Sequence, residues 1–201
     1  MAFDFGEQTA VSRQFQVSMG YLRLVHSVQP VATPESSCLE AYDSELDYLF
    51  ETLQRLGAGP REVEDLAQEV FVVLHRNWPT LDRTRPLRPY LFGVAFRVVC
   101  GHRRRGKREI PYPAVDAEDG GRSPEGQLQN KESVALLMAA LERVPLPRRA
   151  VLVMHELDGV PIADVAERLS LTRFGAYARL RKAHRELASA VRRLLNEGAS
   201  P

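Results

Sequence analysis

The stretch Glu62–Trp78, EVEDLAQEVFVVLHRNW, decides the fold. Its apolar residues Val63, Leu66, Ala67, Val70, Phe71 and Leu74 recur at the i, i+3, i+4, i+7 spacing of one helix face, which predicts an amphipathic helix. The opposite face is acidic, with Asp65, Gln68 and Glu69 together and Glu64 at their edge. Such a helix has to bury one side against other helices and leaves its carboxylates for solvent or a partner.

Working outward, Leu39–Leu56 reads as a preceding helix with Leu39, Tyr42, Leu46, Leu49, Phe50 and Leu53 on one side. Gly57-Ala58-Gly59-Pro60 ends it. On the other side, Pro86–Arg105 predicts a helix whose buried stripe is Leu91, Val94, Ala95 and Val98. Its prolines, Pro86 and Pro89, sit early, where a helix tolerates them. Residues 109–123 are dominated by proline, glycine and acid, lose all apolar periodicity and read as a linker. Ser123 and Pro124 then suit an N-cap and first helical position, opening a helix to about Arg143. Further helical periods run from Leu146 to Leu157, from Ile162 to Leu169, and from Arg173 through Leu194. No strand pair is legible. The predicted fold is therefore all-α, with two small helical domains, 37–108 and 124–197, joined by a flexible linker. Residues 1–36 read as an N-terminal extension, partly ordered.

Composition narrows the function classes. The net charge is only +1, but acids gather early while bases gather after Pro86 and again after Arg173. Local clusters, not the average, set the field a partner feels. Cys38 and Cys100 form no CxxC pair and the five histidines show no ligand spacing, so neither a metal nor a cofactor is expected. No apolar run reaches the roughly 18 residues of a membrane span, and the N-terminus lacks the pattern of a secretory signal. A reducing, cytoplasmic setting fits. No glycine-rich phosphate loop, GxSxG or helical His pair is present, which argues against an enzyme and against a small-molecule substrate.

Two basic constellations complement the acidic face. From Arg88 to Arg108 there is no acid, and Tyr90, Phe92 and Phe96 are interleaved with Arg97, Arg103, Arg104 and Arg105. Aromatics can stack unpaired bases while surrounding cations hold phosphates; the plainer alternative makes Phe92 and Phe96 core residues. From Ile162 to Arg185, two helices joined by about three residues, with Ala166 small enough for a close crossing, fit a helix-turn-helix. The second carries Arg173, Arg179, Arg181, Lys182 and Arg185 outward, as a helix entering the major groove would; an ordinary helical hairpin with a solvated basic side is the alternative.

Together the three constellations resemble the extracytoplasmic-function (ECF) group of alternative sigma factors of bacterial RNA polymerase. Glu64-Asp65-Leu66-Ala67-Gln68-Glu69-Val70-Phe71 is similar to that family's polymerase-binding signature. Tyr90-Leu91, Val94-Ala95 and Arg104-Arg105 are similar to its minus-ten helix. Leu146-Pro147-Arg148-Arg149, Glu156-Leu157-Asp158-Gly159, Ala166-Glu167-Arg168-Leu169 and Arg179-Leu180 are similar to its minus-thirty-five domain. The resemblance implies that Asp65, Gln68, Glu69 and Val72 dock on core RNA polymerase. It implies that Tyr90, Phe92, Arg97, Arg103, Arg104 and Arg105 hold the opened minus-ten element of promoter DNA, and that Arg173, Tyr177, Arg179, Arg181 and Lys182 sit on the minus-thirty-five duplex. It also implies an anti-sigma factor as a partner, with no insertion of this chain into a membrane. The chain departs from the pattern at Phe96-Arg97, where the family usually has Arg-Asn, and at Gly101, where it has Asp. In the recognition helix Gly175, Tyr177 and Ala178 replace the usual Thr, Lys and Ser. These departures motivate two competing readings: a sigma-like protein that binds polymerase or an anti-sigma factor without reading promoters, and a plain helix-turn-helix regulator.

Overall fold

The computed structural model describes residues 37–106 and 125–198, with the backbone alone over 125–132. The predicted extension 1–36, the linker 109–123 and the Ser123-Pro124 cap lie outside the described residues. Within them there are eight α-helices and no strand. The first four are α1 (Cys38–Asp43), α2 (Leu46–Arg55), α3 (Val63–Asn77) and α4 (Leu87–Gly106). The others are α5 (Glu125–Glu142), α6 (Leu146–Leu152), α7 (Ile162–Arg168) and α8 (Arg173–Gly198).

The organising helix forms as its period dictates. Val63, Leu66, Ala67, Val70 and Leu74 of α3 are buried, and α1, α2 and α4 pack against it. Pro79 cannot continue an α-helix, and the chain leaves through a short 3-10 turn, Trp78–Thr80. One helix was predicted over Leu39–Leu56; the structure has two. Ser37 opens α1 with a capping box: its hydroxyl accepts from the Glu40 N–H, and the Glu40 carboxylate accepts from the Ser37 N–H. The chain then breaks at Ser44 and Glu45, because Glu45 turns inward to accept from Arg88 Nε at 2.7 Å. The break rotates α1, so Leu39, expected on the buried side, is 64% exposed, while Ala41 and Tyr42 are buried. The Tyr42 hydroxyl donates to the Ala67 carbonyl at 2.8 Å, and its ring lies against Phe71, fixing α1 on α3.

In the second group, α8 packs against α5, α6 and α7. The predicted helix Leu146–Leu157 loosens into a π-helical turn over Val153–Leu157. Between α7 and α8 the chain turns in four residues, with Ser170 in the left-handed region at φ 54°. Ala166 is buried and its carbonyl accepts from the Leu171 N–H at 2.8 Å, so the two helices cross as the helix-turn-helix reading requires.

The two groups also touch one another. α4 meets α7 and α2 meets α5. The Arg97 guanidinium donates to the Arg168 carbonyl at 3.4 Å, and a side chain at Gly93 would come within 3.2 Å of that same oxygen. Arg149 is buried and donates to the carbonyls of Glu142 and Val144, closing the C-terminus of α5.

Candidate nucleic-acid interface

The acidic face is built by the same periodicity that builds the core. Asp65, Gln68, Glu69 and Val72 follow i, i+3, i+4 and i+7 on the side of α3 opposite Leu66 and Val70, and all four are exposed. Exposed carboxylates keep their charge available to a partner's cations. The Arg105 guanidinium donates to Glu69 at 2.8 Å, both side chains being about half exposed, so the basic end of α4 abuts the acidic face.

The predicted residues of α4 divide into three kinds. Arg97, Arg104 and Arg105 are exposed, and Tyr90 is half-buried beside Trp78 and Arg83 in a narrow crevice. Arg103 is committed within the fold: it donates to the Leu56 and Gly57 carbonyls at 3.1 and 3.0 Å and so caps α2. Phe92 is a correction. It is wholly buried in the core, so its ring offers no face to a base in this arrangement. The sequence places it in a basic-aromatic run, but α4 is covered by α2, α3 and α7, and Phe92 is buried in line with Ala95 and Val99.

On α8, Ala176, Ala183 and Leu187 are buried, which turns Arg173, Tyr177, Arg181, Lys182 and Arg185 to solvent and leaves Arg179 half-buried. Between Arg168 and Arg185 the sequence holds no acid. The Thr172 hydroxyl accepts from the Gly175 N–H at 3.0 Å and caps the helix as expected.

Two aromatic residues escaped the sequence reading. Phe174, the second residue of α8, is 84% exposed. Its signal was available, since it stands off the apolar period of its own helix. Trp78, the last residue of the organising stretch, is half-buried, and Arg83 lies over its ring at 5.7 Å. Among the described residues no cluster of three His, Cys, Asp or Glu could hold a metal ion, and no helix is long and apolar enough to cross a membrane.

Comparison with known proteins decides the family. The model for sigma-70 region 2 matches residues 41–109, and the model for sigma-70 region 4 matches residues 135–187. The chain belongs to the sigma-70 family, in its ECF group. The sigma factor is 28% identical over 150 residues to the ECF RNA polymerase sigma factor SigF of Caulobacter vibrioides, covering 70% of this chain and 77% of SigF. It is 28% identical over 127 residues to SigD of Mycobacterium tuberculosis, covering 60% of this chain and 58% of SigD. Its fold is similar to that of the sigma factor RpoE of Bartonella quintana, solved with the anti-sigma factor NepR, at a TM-score of 0.63 and 16% identity, over 77% of this chain and 96% of that one. Region 2 thus holds α1–α4 and region 4 the helix-turn-helix.

Proposed function

We propose that this sigma factor docks on core RNA polymerase through Asp65, Gln68, Glu69 and Val72, and directs it to a subset of promoters. One observation carries the reading: these four side chains form a single exposed face on a helix whose other face is the core of region 2. In the same reading Tyr90, Arg97, Arg104 and Arg105 meet the minus-ten element, with Arg103 holding α2 in place beneath them. Stacking recovers about 1–3 kcal/mol per captured base, against the cost of separating a few base pairs. Arg173, Tyr177, Arg179, Arg181 and Lys182 meet the minus-thirty-five duplex, where phosphate contacts give affinity and base edges give sequence. Residues 37–108 and 124–197 are the two working domains, joined through 109–123.

The protein acts in the cytoplasm as a binding factor, not as an enzyme. An anti-sigma factor is a further partner, a reading supported by the likeness to RpoE, which was solved bound to one. The test is charge reversal. Replacing Asp65 and Glu69 together by lysine leaves the fold intact, because both are exposed, and abolishes polymerase binding and promoter-dependent transcription. Transcription that survives this change, in a reconstitution with core polymerase, would show that docking does not use this face. A chain that binds polymerase but starts no transcript on a promoter library would favour the non-reading alternative.

A further inference from the structure

Phe174 is more exposed than any other large apolar side chain among the described residues, and Tyr177, one turn on, is 55% exposed. Neither belongs to the buried stripe of α8, which runs through Ala176, Ala183, Leu187, Ala190 and Val191. Phe174, Tyr177, Ala178 and Arg181 instead follow i, i+3, i+4 and i+7 on the far side, and they line a shallow depression with Leu180 and His184. This apolar spot lies inside a cationic frame: Arg173, Arg179, Arg181, Lys182 and Arg185 surround it in sequence, without an acid among them. A wholly apolar partner would leave those charges unmatched. The matching ligand is anionic along its rails and apolar at one place between them. Duplex DNA has that character, because the C5-methyl group of thymine projects into the major groove between two phosphate backbones. The position agrees, since the first turn of the second helix of a helix-turn-helix faces base edges. Gly175, between the two aromatics, adds no side chain to hold the backbone away from the groove; a Cβ there would lie 3.0 Å from the Thr172 hydroxyl that caps the helix.

We propose that Phe174, supported by Tyr177, reads thymine in the minus-thirty-five element through its methyl group. The inference rests on the promoter-binding reading of α8 and names the base that it selects. The experiment uses the full chain with core polymerase on promoters randomised in the minus-thirty-five element, followed by replacement of each selected thymine with uracil, which removes only the methyl. The expected result is thymine at one or two adjacent positions, and a loss of about fourfold in promoter binding per uracil, the equivalent of about 0.8 kcal/mol for one buried methyl group. Phe174→Ala is expected to erase both the thymine preference and the difference between thymine and uracil, whereas Phe174→Leu keeps them in part. Transcription that ignores uracil, or a thymine preference unchanged in Phe174→Ala, overturns this inference alone. So does a Phe174→Ala chain that has lost only an anti-sigma partner and still prefers thymine. Absence of any promoter-dependent transcript from the unaltered chain overturns the promoter reading itself, and this inference with it.

Discussion

The Tyr48 hydroxyl donates to the Asp158 carboxylate at 2.7 Å, joining α2 of region 2 to the turn before the helix-turn-helix. The Asp158 side chain and that of Arg55, 3.8 Å away, are each only 4% exposed. Burial first, and then the Asp158 charge, hold the Tyr48 hydroxyl well above the usual tyrosine range, so it remains a donor throughout the physiological range. This contact closes region 4 on region 2 while α7 covers part of α4, where Arg97 is turned to the Arg168 carbonyl. On the proposed reading of α4 as the minus-ten helix, promoter DNA and α7 compete for that part of it. Tyr48→Phe keeps the packing of the ring and removes the hydrogen bond to the buried Asp158 carboxylate, about 1.5–3 kcal/mol for a charged acceptor. The closed-to-open ratio should fall at least about tenfold, seen as a larger radius in small-angle scattering and as faster open-complex formation at limiting polymerase. Asp158→Ala should go further, because it also removes the carboxylate that faces buried Arg55 at 3.8 Å and leaves that cation with Glu51, at 2.7 Å. An unchanged radius in both variants would remove this contact as the latch.

Gly57 follows α2 with φ 88°, a conformation that costs a residue with a Cβ about 1–2 kcal/mol. The space is also taken. A Cβ there would lie 2.3 Å from Arg103 Nη2 and 2.4 Å from Arg149 Nη1. Neither guanidinium can retreat cheaply, since Arg103 caps α2 and buried Arg149 closes α5. Burial first, and then the Arg103 charge, already lower the Arg149 pKa to about 10, so this guanidinium is both desolvated and close to a second cation. Gly57→Ala should therefore lower unfolding stability by about 2–4 kcal/mol, combining backbone strain with disturbed caps. Urea unfolding measures it; a loss under about 0.5 kcal/mol, the range of neutral surface changes, would contradict the account.

Where one local rule and the tertiary packing agree, the sequence was legible. Residues 63–74 of α3 are periodic and face a core on one side only, so the period alone separates Leu66 and Val70 from Asp65 and Glu69. The crossing of α7 and α8 was legible from Ala166 and the polar turn after it. The break at Ser44–Glu45 was not, because its cause is Arg88, far along the chain. Phe92 is buried with Ala95 and Val99, one residue off the Leu91, Val94, Ala95 and Val98 stripe legible in the sequence, because α4 is covered on more than one side. Arg103 read as one of three equal arginines, and only the fold shows that it caps α2 while Arg104 and Arg105 stay exposed.

The Glu69–Arg105 pair permits a swap that separates docking from folding. Both partners are exposed, so the pair contributes about 0–1 kcal/mol to stability. Exchanging the two residues, Glu69→Arg with Arg105→Glu, can re-form the pair inside the molecule but moves the carboxylate off the proposed docking face. Melting temperature should stay within a few degrees of the parent, while polymerase binding should fall at least tenfold. Binding restored by the swap would assign Glu69 a role within the fold instead of at the interface.

Glu62 gives the fold a dependence on pH whose sign can be worked out. Its carboxylate accepts from the Gly59 N–H at 2.7 Å and meets His102 Nε2 at 2.8 Å. Burial alone would raise its pKa, but the Gly59 hydrogen bond, His102 and the Arg103 charge outweigh it, and the net value lies below the usual 4.5. With the folded value depressed, the unfolded chain takes up a proton first as acid is added. The stabilisation is thus complete above the unfolded pKa and is lost as pH falls through the folded one. Its size is modest, about 0.5–1 kcal/mol, because the side chain is 43% exposed. Glu62→Gln keeps an acceptor for Gly59 and removes the charge. The stability gap between parent and variant, from denaturant unfolding, should be full near neutral pH and should narrow as the pH drops below about 4.5. A gap that stays constant down to about pH 3 would mean that the carboxylate's charge contributes nothing, leaving hydrogen-bond geometry alone to hold the turn between α2 and α3.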